Sequence, residues 1–181
     1  MKALKHFKTI TKHRHAVIRH AFKAGIGFQG LFHDLSKYSP VEFMVGAKYY
    51  LGDNSPNDAE RDHHGYSKAW LHHKGRNKHH FEYWTDYQPF TKKMIPIEMP
   101  DNYLVEMFCD RVAASKIYQG ENYNENHPLE YFLKNKGIRY IHPNTSDRLE
   151  ELLRMLAKKG EDETFKYIRE NFIKKHKQSC I

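Results

Sequence analysis

Residues 69–84 read AWLHHKGRNKHHFEYW. Two adjacent histidine pairs, His72-His73 and His79-His80, stand on either side of a Gly75-Arg76-Asn77 turn signal. Neutral imidazole is the commonest nitrogen ligand for zinc, iron, manganese or nickel, so imidazole this dense without cysteine points to a metal site. The bland alternative is a solvated helix end. The setting speaks against it, because Trp70, Leu71, Phe81, Tyr83 and Trp84 flank the pairs and part of the segment must be packed. Histidines tethered to a packed segment can be aimed. The turn frees the doublets from sharing one helix, so one histidine of each can face inward while its neighbour faces out or supports it.

Acids elsewhere in the chain are natural partners. Residues 30–40, GLFHDLSKYSP, hold His33-Asp34 inside an apolar stretch that reads as a short helix over Gly30–Lys37. Burying that carboxylate is costly unless something positive compensates it, and a divalent ion does so. Residues 105–115, VEMFCDRVAAS, put Asp110 on one helical stripe with Tyr103, Met107, Ala114 and Ile117, with Glu106 a turn earlier adding negative charge. The alternatives are a surface Asp34 and a salt bridge from Asp110 to a distant cation. The first helix carries His6, His13, His15 and His20, of which at most two are expected as ligands and the rest at the surface.

Helical signals dominate around these motifs. Leu4, Phe7, Thr11, Ala16, Val17 and Phe22 suggest a helix over 3–24, stopped by Gly25 and Gly27. Ser39-Pro40 reads as an N-cap with proline at the first helical position, opening a helix to Tyr50, with Glu42 placed for a capping box. Residues 52–65, GDNSPNDAERDHHG, read as a long polar loop. Residues 86–100 carry three prolines among alternating apolar residues and read as an irregular excursion or small β-hairpin with Lys92-Lys93 at its tip. Further helices are expected from Pro100-Asp101 to about Gln119, over 128–136, from Asn144 or Thr145 to Gly160, and over 161–176. The fold class is therefore all-α, as one domain over 1–181, with a core at 3–120 and the helices of 128–176 packed on it.

Composition narrows the function classes. Mean hydropathy is -0.85, and no run of about 18 apolar residues could span a membrane. The N-terminal segment is charged throughout and lacks an apolar signal core. Cys109 and Cys180 are the only cysteines, which argues against a disulfide scaffold or thiolate zinc site and fits a reducing cytoplasm. The net charge of +8 favours small anionic partners, while no basic-aromatic nucleic-acid motif occurs. The leucines of 145–159 are core or an oligomer seam.

In this order, a helix histidine, His-Asp, further histidines and a distant helical Asp resemble the HD superfamily of metal-dependent phosphohydrolases, and HDLSK at 33–37 looks like its HD-x-x-K form. The run from about His13 to Gln119 is similar to an uncharacterised HD-like family of bacteria and phage. The resemblance implies an HD-like helical bundle with metal at its centre, held by His13, His33, Asp34 and Asp110. His73 and His80 match the extra histidines of binuclear members, although those usually lie on well-separated elements. The choice within His72/His73 and within His79/His80 stays open. The implied cofactor is one or two divalent ions (Mn, Fe, Zn, Ni or Co). The implied reaction is hydrolysis of a nucleotide or other small phosphate ester, with Asp34 orienting the water and Lys37 and Arg76 neutralising phosphoryl charge. Two rivals share the fold: a di-iron oxygenase, since a six-ligand histidine-carboxylate set also suits iron, and a non-catalytic binding module with a structural metal.

Overall fold

In the long helix of the chain's second half, buried side chains occur on every side of the middle turns. Leu104, Val105, Glu106, Met107, Phe108 and Cys109 are all buried in succession. A helix apolar all round belongs in the middle of a fold, and that is its place in the computed structural model, which describes residues 1–52 and 55–173.

Eight α-helices run through the described residues. Helix α1 (Lys2–Ala24) lies along the central helix; α2 (Gly27–Gly30) is a single turn. A 3-10 turn, Leu35–Tyr38, leads into α3 (Pro40–Tyr49), and α4 (Pro56–His64) and α5 (Lys68–Lys74) pack against α3. Strands β1 (Thr85–Gln88) and β2 (Lys93–Pro96) pair antiparallel from Thr85↔Pro96 to Gln88↔Lys93, so the expected hairpin forms but turns over 89–92, with Lys93 in the strand and not at the tip. The central helix is α6 (Asp101–Gln119); α7 (His127–Lys134) and α8 (Pro143–Ile168) follow, and Arg169–Ile173 close the described chain with a π-helical turn. No helix of the described residues is long and apolar enough to cross a membrane.

The fold is thus all-α with a small hairpin. The apolar core joins Val17 and Ala21 of α1, Leu104, Phe108 and Val112 of α6, and Leu149, Leu152, Leu153, Leu156 and Phe165 of α8. Each such large side chain contributes roughly 1.5–3 kcal/mol through burial. Gly160 breaks α8 with φ 78° and ψ 178°, so its two halves correspond to the two expected helices. Residues 174–176 of the second expected helix lie outside the described residues.

Three expectations are corrected. Residues 56–64 are helical and not loop: Ser55 Oγ accepts from the Asn57 amide, Pro56 takes the first position, and Gly65 closes the end at φ 77°. Residues 30–37 are not one helix, because Asp34 adopts a left-handed backbone (φ 54°) between α2 and the 3-10 turn. The inward face of α1 is its histidine face. His6, His13 and His20 are buried beside Ile10, Val17 and Ala21, whereas Leu4, Phe7 and Phe22 are exposed and only His15 behaves as the expected surface histidine.

The histidines at 6, 13 and 20 recur every seven residues, about 10 Å along one face. Each meets a different neighbourhood. His20 stacks on Phe165 (5.6 Å between ring centroids) and lies 3.4 Å from both the Cys109 carbonyl and Lys116 Nζ; Lys116 also pairs with Glu161. Burial, then the positive charge of Lys116, lowers its pKa to about 4. A histidine depressed in the folded state contributes stability above its unfolded value near 6.5, and that contribution is lost as pH falls towards 4. The share of this loss due to His20, read as the difference between the wild type and His20→Phe in urea titrations across that window, is expected to be on the order of 3 kcal/mol. His20→Phe, which keeps the stack, flattens this limb; an unchanged slope would contradict the assignment.

Candidate metal centre

The local backbone explains how the site residues are aimed. Arg14 of α1 donates to the carbonyls of His33 and Leu31, tying the His-Asp turn to the helix that carries His13. Gly30 lets the turn sit directly on Ala21, where any side chain would collide with the alanine methyl. The left-handed backbone at Asp34 is one that Asp and Asn tolerate better than other side chains, and strain of this kind concentrates at functional sites. It turns a 1 %-exposed carboxylate toward both α1–α6 and α5.

Asp34 is the hinge between two groups of potential ligands. On the Oδ2 side, His33 Nε2 lies at 3.3 Å and His13 Nε2 at 3.9 Å, and His13 Nε2 is 2.9 Å from Asp110 Oδ1. On the Oδ1 side, His73 Nε2 lies at 3.2 Å and His79 Nε2 at 3.5 Å, and His73 Nε2 is 2.8 Å from His80 Nε2. The sets His13, His33, Asp34, Asp110 and Asp34, His73, His79, His80 each offer ligand atoms within 4.8 Å of one another.

The test of whether these residues fit a metal lies in their unmet polar atoms. His13 Nε2, His33 Nε2, His79 Nε2 and both oxygens of Asp34 are buried without a hydrogen bond among the described residues. Buried polar atoms are nearly always paired. Orphaned nitrogens and carboxylate oxygens that converge are what a cation satisfies. The opposite ring nitrogens are held. His33 Nδ1 donates to Glu106 Oε1 at 2.8 Å, and His79 Nδ1 lies 3.2 Å from the same oxygen. His73 Nδ1 and His72 Nδ1 donate to Glu42 at 2.7 and 2.6 Å. Placing the proton on Nδ1 leaves the Nε2 lone pair free for a metal. Gln29 donates to the other oxygen of Glu106 at 2.5 Å, fixing that carboxylate. His33, His79 and Glu106 form a third cluster of potential ligands, in which Glu106 supports one ring of each set.

Electrostatics agree. Burial alone raises each acid's pKa, but neighbours reverse it: His33, Lys37 and His73 hold Asp34 well below the usual range, and hydrogen bonds from His33 and His79 bring Glu106 to about 2. Burial works against a charged His33, yet Asp34, Asp110 and Glu106 outweigh it and raise its pKa well above the ordinary value. A metal and that proton compete for one nitrogen.

The structure therefore brings together His13, His33, Asp34, Asp110, His73 and His80, and adds His79. Lys37 joins them, with Nζ 2.6 Å from Asp34 Oδ2. Arg76 does not join: it is exposed, donates to the His72 carbonyl on its own turn, and has no ion pair to the acids among the described residues. The seven-residue closeness of His73 and His80 is resolved by a reversal after Lys74. Asn77 donates to the His73 carbonyl and to Ser36 Oγ, each at 2.8 Å, folding 79–80 back over 73. His72 belongs to neither set, its ring held on Glu42. Glu42 is itself a correction: Ser39 makes no cap bond, and the carboxylate turns to the histidines instead.

A model of a family of unknown function, DUF5662, matches residues 2–155, and the chain belongs to that family. No curated protein and no solved structure matches it.

Proposed function

We propose that this family member is a metal-dependent phosphohydrolase whose two ligand sets hold two divalent ions sharing Asp34, and that its substrate is a small phosphate ester. The observation that carries the reading is the convergence of five buried ligand atoms that make no hydrogen bond among the described residues, only one of them, Asp34 Oδ2, being paired with a lysine, backed by Glu106 on the far side of the rings. The HD-like order of the ligands in the sequence supports the same reading. Ions held there would lower the pKa of water and neutralise phosphoryl charge.

The chain's own groups define the rest. Lys37, paired with Asp34 and with a side chain 30 % exposed, presents an ammonium where an anion can reach it. Burial lowers its pKa, but Asp34 and Asp110 outweigh this and raise it, so it stays charged. Asp34 spans the two sets and orients a nucleophile between them. Asp110 closes the first set from α6, and Glu42 and Glu106 keep the imidazoles in the ligating tautomer. A purely structural metal is less consistent with the cavity that Lys37 and His73 border, because structural sites are closed by protein on all sides.

The test is phosphate release from a panel of nucleotides and sugar phosphates, with and without chelator. Chelator-sensitive release on at least one ester is expected. Bound metal with no release across the panel would overturn the hydrolase reading. Visible absorbance with two irons per chain would turn it toward the oxygenase.

A further inference from the structure

Beside the metal cluster a cavity runs along the first turns of α1. Lys37, Glu42 and His73 border it toward the cluster, and His6 and Thr9 of α1 lie further along it with Tyr50 at the end of α3. Among the described residues that line it, the only carboxylate or ammonium groups are Glu42 and Lys37, and Glu42 is taken up by His72 and His73. The part away from the cluster mixes the polar groups of His6, Thr9 and Tyr50 with the apolar surfaces of Ile10, Pro56 and Ala69.

His6 is its most telling residue. It is 7 % exposed, packs against Phe43 and Tyr50 at 5.5 and 5.7 Å between ring centroids, and has no hydrogen-bond partner among the described residues. Gly46 makes the space for the ring, since any side chain there would collide with the imidazole. Burial and then the charge of Lys37 lower its pKa, leaving a neutral ring with one donor and one acceptor. Next to it, Thr9 Oγ1 and Tyr50 Oη stand 2.8 Å apart. Two hydroxyls sharing one bond keep a donor and several lone pairs to offer.

We propose that this cavity binds the alcohol half of the substrate and selects one that carries hydroxyl groups, making the substrate a sugar phosphate, free or as part of a nucleotide. The inference rests on the phosphohydrolase reading and deepens it. A phosphate monoester is anionic at one end and neutral at the other, and the cavity has the same polarity, with Lys37 at one end and His6, Thr9 and Tyr50 beyond. An apolar alcohol would leave the buried imidazole and the remaining donor of the hydroxyl pair without a partner, which is costly; sugar hydroxyls pair with both.

The experiment follows the His6 ring by NMR in zinc-loaded, full-length protein, its signals identified by their loss in His6→Gln. Inorganic phosphate, phenyl phosphate, ribose 5-phosphate and AMP are added in turn. The 31P spectrum of each sample reports hydrolysis independently. Ribose 5-phosphate and AMP are expected to move the His6 signals, and inorganic and phenyl phosphate to leave them. A response to AMP alone assigns the sugar to a nucleotide; a response to ribose 5-phosphate alone assigns a free sugar phosphate. In Thr9→Val/Tyr50→Phe, the affinity preference for ribose 5-phosphate over phenyl phosphate falls about tenfold, as expected for two lost neutral hydrogen bonds. An equal response to phenyl phosphate, or no response to any ester, overturns the sugar subsite. Hydrolysis without a His6 response removes the subsite alone, whereas a His6 response without hydrolysis removes the hydrolase reading alone.

Discussion

If the proposed hydrolase reading holds, Asp34→Asn leaves the chain folded and lowers kcat/KM for phosphate-ester hydrolysis by at least about 10³-fold, because several kcal/mol of charge stabilisation would depend on the ions that this carboxylate would help to hold. The choice of Asn matters. Asparagine tolerates the left-handed backbone at position 34 and nearly matches the shape of aspartate. Asp34→Ala would add strain at φ 54° and abandon Lys37, His33 and His73 around an empty centre. The amide keeps one oxygen but not the charge, and it cannot offer an anionic oxygen to each set. Circular dichroism checks the fold, and steady-state kinetics with metal analysis check the rest. A variant that retains both metal and rate would show that Asp34 is not the bridge.

Glu106→Gln should produce the second largest effect, and through residues that never touch the substrate. Its carboxylate faces His33 Nδ1 at 2.8 Å and His79 Nδ1 at 3.2 Å, one ring from each ligand set. A glutamine that keeps its oxygen toward the rings still meets both Nδ1 atoms but without the negative charge, and one that flips turns an amide N–H toward both. Either way both imidazoles lose the charged acceptor that fixes their tautomer. Loss of such support typically lowers metal affinity by about 10–100-fold. Because the two rings serve different sets, chelator competition should show both ions weakened. Glu42→Gln, which touches His73 and His72 but neither His13 nor His33, should weaken only the second set. Equal behaviour of the two variants would refute this division.

Much of this was legible in the sequence, and the failures share a cause. The helices of α1, α3, α6, α7 and α8 announced themselves through caps, prolines and apolar spacing. The Ser55-Pro56 start of α4 carries the same signal as Ser39-Pro40 but was obscured by its polar composition, since Ala59 is its only apolar side chain besides the proline. Its buried Glu60 is held from outside the helix, by Ser67 Oγ at 2.5 Å and the Ala69 amide. The inward face of α1 was misread because imidazoles count as polar in any periodicity argument. Position 34 looked helical because Leu31, Phe32 and Leu35 have helical spacing, and nothing local revealed the left-handed turn.

The acids followed a similar pattern. Asp34 and Asp110 stood out because they interrupt apolar stretches. Glu106 had the same signal, four residues before Asp110 on a buried helix, but its role depends on two rings brought from elsewhere. Glu42 sat at capping-box spacing from Ser39, and a tertiary partner won over the local one. His79 and His80 could not be separated, because the reversal at Asn77 brings both rings to His73.

The central claim is that these acids and imidazoles converge around cations. Crystals of untagged protein grown with manganese, measured at its absorption edge, test it most directly. Two anomalous peaks are predicted, one among His13, His33, Asp34 and Asp110 and one among Asp34, His73, His79 and His80. No peak within bonding distance of Asp34, with its side chain still facing both sets, would contradict the account.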